Sequence, residues 1–170
     1  MKSILWIFLM SSVAAIAQTA ETDTTLNNLV HPPGYVTADF NAIPEYVKTG
    51  KGKKVLILIP GVGFDASVFS DFTEANKRMY TMYAVTLPGF GKTAAPPMPD
   101  KSVSYGEQTW TKSAVQGILK LIEKENLEQP VIVGHFVTGT QVALRLAIDY
   151  PEKVSKVIVM GGSPKLMAVL

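Results

Sequence analysis

The segment Val131 to Leu146, VIVGHFVTGTQVALRL, holds the residues whose order could do chemistry. An apolar run, Val131-Ile132-Val133, meets Gly134, turns tightly and passes straight into an amphipathic helix. A strand that breaks at glycine into a helix aims one side chain and several backbone N–H groups at a single point outside the sheet. Nucleophilic attack on an acyl group needs such a point. Thr138 is the only hydroxyl inside the turn, and it has two readings. It could be the nucleophile, or it could form a capping box with Gln141, which would tie the hydroxyl to backbone N–H groups. His135, next to Gly134, is read as a packing residue.

Composition bounds the setting. The chain has 170 residues, is 47% hydrophobic and 18% charged, and carries a net charge of +2. That is a globular balance. Nucleic-acid binding would need a more concentrated basic face, so no nucleic-acid partner is expected. The absence of cysteine excludes disulfides and thiolate metal sites, and no metal or cofactor is expected. At the start, Lys2 precedes an apolar core from Ile4 to Val13, and Ala15-Ile16-Ala17 follows as a cleavage pattern. The apolar stretch falls short of the roughly 20 residues of a spanning helix. Residues 1–17 therefore read as a cleaved signal peptide, with export to the periplasm or beyond and no stable membrane insertion afterwards. Residues 18–33 read as a flexible leader ending in the breaker cluster His31-Pro32-Pro33-Gly34.

The elements that must position the turn follow in order. Tyr35 to Phe40 alternates, and Ile43 to Val47 follows it. Lys48 to Lys53 reads as a solvated hairpin tip, not a binding patch. Lys54 to Ile59 is a continuous apolar run, as in a strand buried on both faces, and it ends at Pro60-Gly61-Val62-Gly63. A helix is expected from about Ala66 to Met79, then a second buried strand from Met82 to Leu87 and a proline-rich loop, Ala94 to Pro99. Ser104 and Glu107 form a capping box for a helix with the apolar stripe Trp110, Ala114, Ile118, Leu121 and Ile122. The helix after the glycine turn is expected from about Thr138 to Tyr150, where Pro151 stops it. Val154 to Met160 is a fourth apolar strand. Strands alternating with helices give an α/β fold with a mostly parallel sheet and flanking helices.

Four pieces in this order resemble the α/β-hydrolase family. They are the strand ending in Pro60-Gly61-Val62-Gly63; the strand end and turn Ala84-Val85-Thr86-Leu87-Pro88-Gly89-Phe90-Gly91-Lys92-Thr93; the Gly134 turn; and Ala143-Leu144-Arg145-Leu146-Ala147 through Tyr150-Pro151-Glu152-Lys153-Val154. The resemblance covers about Tyr35 to Pro164. It implies a partial α/β-hydrolase fold, residues 34–170, lacking the C-terminal strands. It implies that Val62 and Gly63 form an oxyanion loop, whose donors contribute roughly 3–4 kcal/mol each to such transition states. It also implies a nucleophile elbow made of Gly134, His135, Phe136, Val137 and Gly139.

The elbow departs from the family pattern G-x-S-x-G. Its glycines stand five apart, so counting forward from Gly134 puts Phe136 in the nucleophile slot and counting back from Gly139 puts Val137 there. Neither side chain can attack a carbonyl. The family order is nucleophile, acid, histidine, yet no histidine follows Thr138, and Asp149 and Glu152 read as surface residues. The expectation is the N-terminal part of an exported hydrolase of esters or similar acyl bonds, with acid and base supplied by a missing C-terminal half. The alternative is a noncatalytic binding protein of the same fold. The partner in either case is a small acyl substrate or an apolar ligand. A third reading takes Gly61-Val62-Gly63-Phe64-Asp65-Ala66 as a G-x-G-x-x-A dinucleotide fingerprint, against which the following strand ends without an acid.

Overall fold

The computed structural model describes residues 42–94 and 109–161, all within the compact unit Val36–Leu170. The signal peptide, the leader, the Tyr35–Phe40 stretch, the Ser104/Glu107 box and most of the proline-rich loop lie outside the described residues. Among the described residues five strands form one sheet: β1 (Glu45–Thr49), β2 (Lys54–Ile59), β3 (Tyr80–Thr86), β4 (Val131–His135) and β5 (Lys156–Met160). Their spatial order is β1-β3-β2-β4-β5. Only β1 runs antiparallel, paired with β3; the other neighbours are parallel.

The continuous apolar run of β2 is explained by burial on both sides, because alternate residues of a strand face opposite ways. Ile57 and Ile59 join one core with Tyr83, Val85 and Ile132; Leu56 and Leu58 join the other with Met82, Ala84 and Val133. Helix α2 (Thr109–Lys124) covers the first face with Ala114, Ile118, Leu121 and Ile122, the stripe read from the sequence. Helix α3 (Phe136–Asp149) packs on the same face through Val142, Ala143 and Leu146. The second face is covered more thinly. Ala66 and Phe69 pack on it from a 3-10 turn (Ala66–Phe69), which leads into the seven-residue helix α1 (Ser70–Asn76). Thus the helix expected from Ala66 to Met79 is split and shorter. Phe72 and Met79, which stand at helical spacing with Phe69 in the sequence, are both exposed.

The hairpin expected around Lys48 to Lys53 is corrected. β1 pairs with β3, not with β2, and Lys48 and Thr49 belong to β1 itself. A four-part clamp holds this edge strand to α2. The Glu125 carboxylate, just past the end of α2, accepts hydrogen bonds from Tyr46 Oη (2.8 Å), Tyr83 Oη (2.9 Å) and Lys48 Nζ (3.0 Å). A carboxylate there faces the unfavourable end of the helix dipole, so these donors must offset that repulsion. Lys48, then Tyr46 and Tyr83, hold its carboxyl at about 2, below the ordinary 4.5. Burial pushes the Tyr83 phenol up.

A carboxyl depressed on folding stabilises the fold above its unfolded pKa and loses that contribution as the pH falls through its folded value. Stability should therefore drop between pH 4.5 and about 2. In Glu125→Gln this acid limb should be visibly flatter. Urea denaturation at a series of pH values checks this, and an unchanged limb would mean that the clamp is not its source.

Candidate functional site

The strand order fixes where a ligand can sit. The connection leaving β2 goes to β3 on one side, while the connection leaving β4 goes to β5 on the other. Adjacent parallel strands whose outgoing connections diverge open a crevice at their carboxyl ends. The loop Pro60–Gly63 leaves β2 at that crevice, and the turn into α3 leaves β4 there.

The turn is tighter than its sequence suggested. β4 continues through Gly134 to His135, which is still extended (φ −102°, ψ 136°), and α3 begins at the next residue. Phe136 has φ +52°, a left-handed conformation that costs a non-glycine residue about 1–2 kcal/mol. A strained residue between strand and helix marks the apex. Phe136 is therefore the apex and Val137 is not, which decides between the two ways of counting the motif. Val137 lies half-buried in the first turn of α3.

The glycines of the motif serve close packing. A Cβ on Gly134 would fall 2.4 Å from the Gly139 carbonyl oxygen, and one on Gly139 would fall 2.3 Å from that of Ile59. Their five-residue spacing thus seats the start of α3 against β4 and β2. Gly61 approaches the apex from the β2 side: a Cβ there would lie 2.5 Å from Phe136 Cβ. Gly161, just past β5, approaches the Phe136 ring from the other side. Val62 is exposed, and Gly63 turns the loop with φ +78° and open space beside it.

Thr138 lies two residues past the apex, inside α3. The capping-box reading is corrected, since His135 occupies the N-cap position and no side chain caps the helix. Thr138 Oγ1 is buried and makes no hydrogen bond among the described residues. His135 sits among aromatic rings, with centroids 5.9 Å from Phe64, 6.0 Å from Phe69 and 6.2 Å from Phe136. Its Nδ1 is likewise buried without a partner among the described residues. Phe64 was not singled out as a site residue from the sequence, because only the fold brings its loop beside His135.

From His135 an apolar groove of about 780 Å³ runs down the thinly covered sheet face between α1 and β5. Leu58, Val68, Phe69, Val133, Ile158 and Met160 line it. Asp149 pairs with Arg145 at 2.6 Å near the end of α3, and Glu152 is exposed in the following 3-10 turn. Neither acid lies near the apex in the chain's path, since α3 separates them from it.

The dinucleotide fingerprint meets an occupied anion seat. Asp65 itself caps the 3-10 turn, its carboxylate accepting from Ser67 N at 2.8 Å and from Ser67 Oγ at 2.5 Å. Those bonds hold its carboxyl below the usual range. Ala66 N donates to Thr86 Oγ1 at 3.0 Å. Two amides that a pyrophosphate would need are already bonded within the protein.

No protein-family model matches the chain. Individual relatives do. A 2-hydroxy-6-oxononadienedioate/2-hydroxy-6-oxononatrienedioate hydrolase of Paraburkholderia phymatum is 32% identical over 123 residues, covering 69% of this chain and 39% of the relative. A pimeloyl-[acyl-carrier protein] methyl ester esterase of Vibrio campbellii is 28% identical over 113 residues, covering 66% of this chain and 39% of the relative. The solved structure of a marine microorganism esterase superposes with a TM-score of 0.58 at 23% identity, over 69% of this chain and 41% of that one. The chain is similar in sequence to these hydrolases and carries part of the α/β-hydrolase fold. It spans about two fifths of the length of the curated relatives it matches.

The packing of the seam gives a direct test. Gly139→Ala should destabilise the fold by about 1–3 kcal/mol, because its methyl group would meet backbone and not a movable side chain. Chemical denaturation measures this, and a change within about 0.5 kcal/mol, the range of an ordinary surface substitution, would contradict the packing.

Proposed function

We propose that this chain is part of an exported α/β-hydrolase-family protein that seats a small acyl or apolar ligand at the elbow without attacking it from the elbow apex. The observation that carries the reading is Phe136, which holds the strained apex with a side chain that has no nucleophilic atom. Around it the exposed side chains of Val62 and Phe64 and the half-buried His135 offer apolar and aromatic contact. Such surfaces hold a ligand by area and ring stacking, with a few polar groups fixing its orientation. The Gly61–Gly63 loop would then steady a ligand carbonyl through backbone N–H groups. Export rests on the charged and apolar pattern of residues 1–17.

Hydrolysis is the second reading, favoured by one feature of the site and by the relatives. Thr138 keeps a hydroxyl free of hydrogen bonds among the described residues, and the relatives are named as a hydrolase and an esterase. In that reading Thr138 attacks an ester or similar acyl bond, and the acid and base come from outside these 170 residues.

Nitrophenyl-ester hydrolysis and aryl-ester binding by the full-length protein separate the two. The first reading expects no turnover that Thr138→Ala abolishes, and about a ten-fold weaker affinity in Phe136→Ala. Loss of a true nucleophile costs on the order of 10⁶ in rate in a serine protease. A turnover that collapses in Thr138→Ala would establish the second reading and remove the first.

A further inference from the structure

At the opposite rim from the elbow, the amino ends of the parallel strands carry cations from two segments far apart in sequence. The β1–β2 connection brings Lys51 and Lys53, with Lys54 opening β2; the α1–β3 connection brings Lys77 and Arg78. Lys48, at the end of β1, adjoins them. These connections are locked together, not loosely adjacent. Lys51 N donates to the Lys77 carbonyl at 3.2 Å. A Cβ on Gly52 would lie 2.0 Å from the Met79 carbonyl oxygen, so only glycine lets the two backbones meet there.

Two shallow concavities of about 710 and 510 Å³ open between the connections, and no acidic residue among the described ones lines either. Lys48 and Lys77 are paired with Glu125 and Glu74, while Lys51, Lys53, Lys54 and Arg78 make no ion pair among the described residues. Six of the sixteen Lys and Arg are thus held on one rim, where the Glu74 and Glu125 carboxylates offset two of them. In their midst Met79 is 59% exposed, and Tyr80 beside it is half-buried.

We propose that this rim docks on an anionic lipid bilayer, with the cations against the headgroups and Met79 reaching into the interfacial layer. The apolar side chain decides the class of partner. A soluble polyanion gains nothing from an exposed methionine ringed by cations, whereas a headgroup boundary accepts both. The contact proposed is peripheral; no helix among the described residues is long and apolar enough to cross a membrane. Docking in this way points the elbow crevice away from the bilayer. The inference does not depend on what the elbow does.

Co-sedimentation of the full chain with vesicles tests it. The parent should bind vesicles containing phosphatidylglycerol, bind phosphatidylcholine vesicles far less, and be released near 1 M salt, where screening length falls to about 3 Å. Each cation near an anionic leaflet contributes about a five-fold gain in partitioning, so Lys51→Glu with Arg78→Glu should weaken binding by at least about thirty-fold. Lys92→Glu with Lys112→Glu, the same charge change elsewhere, should leave most binding intact. Met79→Ser should lower partitioning several-fold with the salt dependence preserved. Thermal melts verify that all variants fold. Equal binding to both vesicle types, or undiminished binding by the Lys51/Arg78 variant, would overturn the proposal. So would retention on heparin without binding to anionic vesicles.

Discussion

The site depends on backbone meeting backbone at the carboxyl ends of β2 and β4. Gly134, Gly139 and Gly61 are all places where a single methyl group would collide with the neighbouring segment. Interiors are packed too tightly to absorb such a collision without movement of whole elements. The start of α3 is therefore set by contact with two strands at once. At that contact Phe136 takes its left-handed conformation, with its Cβ lying against Gly61.

Around this seam the two faces of the sheet are unequal. One carries α2 and α3 and a core of fully buried residues such as Ile57, Ile118, Leu121 and Leu146. Among the described residues the other carries a 3-10 turn and a short helix, and Ile158 and Met160 are exposed along the groove that ends at His135. The elbow thus has a rigid side and an accessible one. The clamp at Glu125 lies on the rigid side and secures the antiparallel edge strand, whose own residues are mostly exposed.

Much of this was legible in the sequence because burial on two faces writes itself as an uninterrupted apolar run, and β2 starts and ends where Lys54 to Ile59 indicated. The stripe of α2 was legible for the related reason that one buried helical face repeats every three to four residues. The hairpin at Lys48 to Lys53 was misread because a turn rich in lysine and glycine says that the chain reverses but not which strand it will join; β1 joins β3. The apex was ambiguous because both glycines looked like parts of one catalytic pattern. In the fold, Gly134 belongs to β4, while Gly139 belongs to the contact of α3 with Ile59. The surroundings of His135 could not be read at all, since Phe64 and Phe69 reach it only through the crossover from β2 to β3.

The pairing of β2 with β4 has a consequence for how the molecule comes together. Leu56 aligns with Val131, although a short helix, a strand and a long helix lie between them in the chain. Closing a loop that long costs entropy before any contact repays it, so such pairings form slowly. No nearby hairpin or helix can assemble the elbow in advance. Its geometry arises only when distant parts of the nascent polypeptide finally meet, and until then the glycines that shape it are ordinary flexible links.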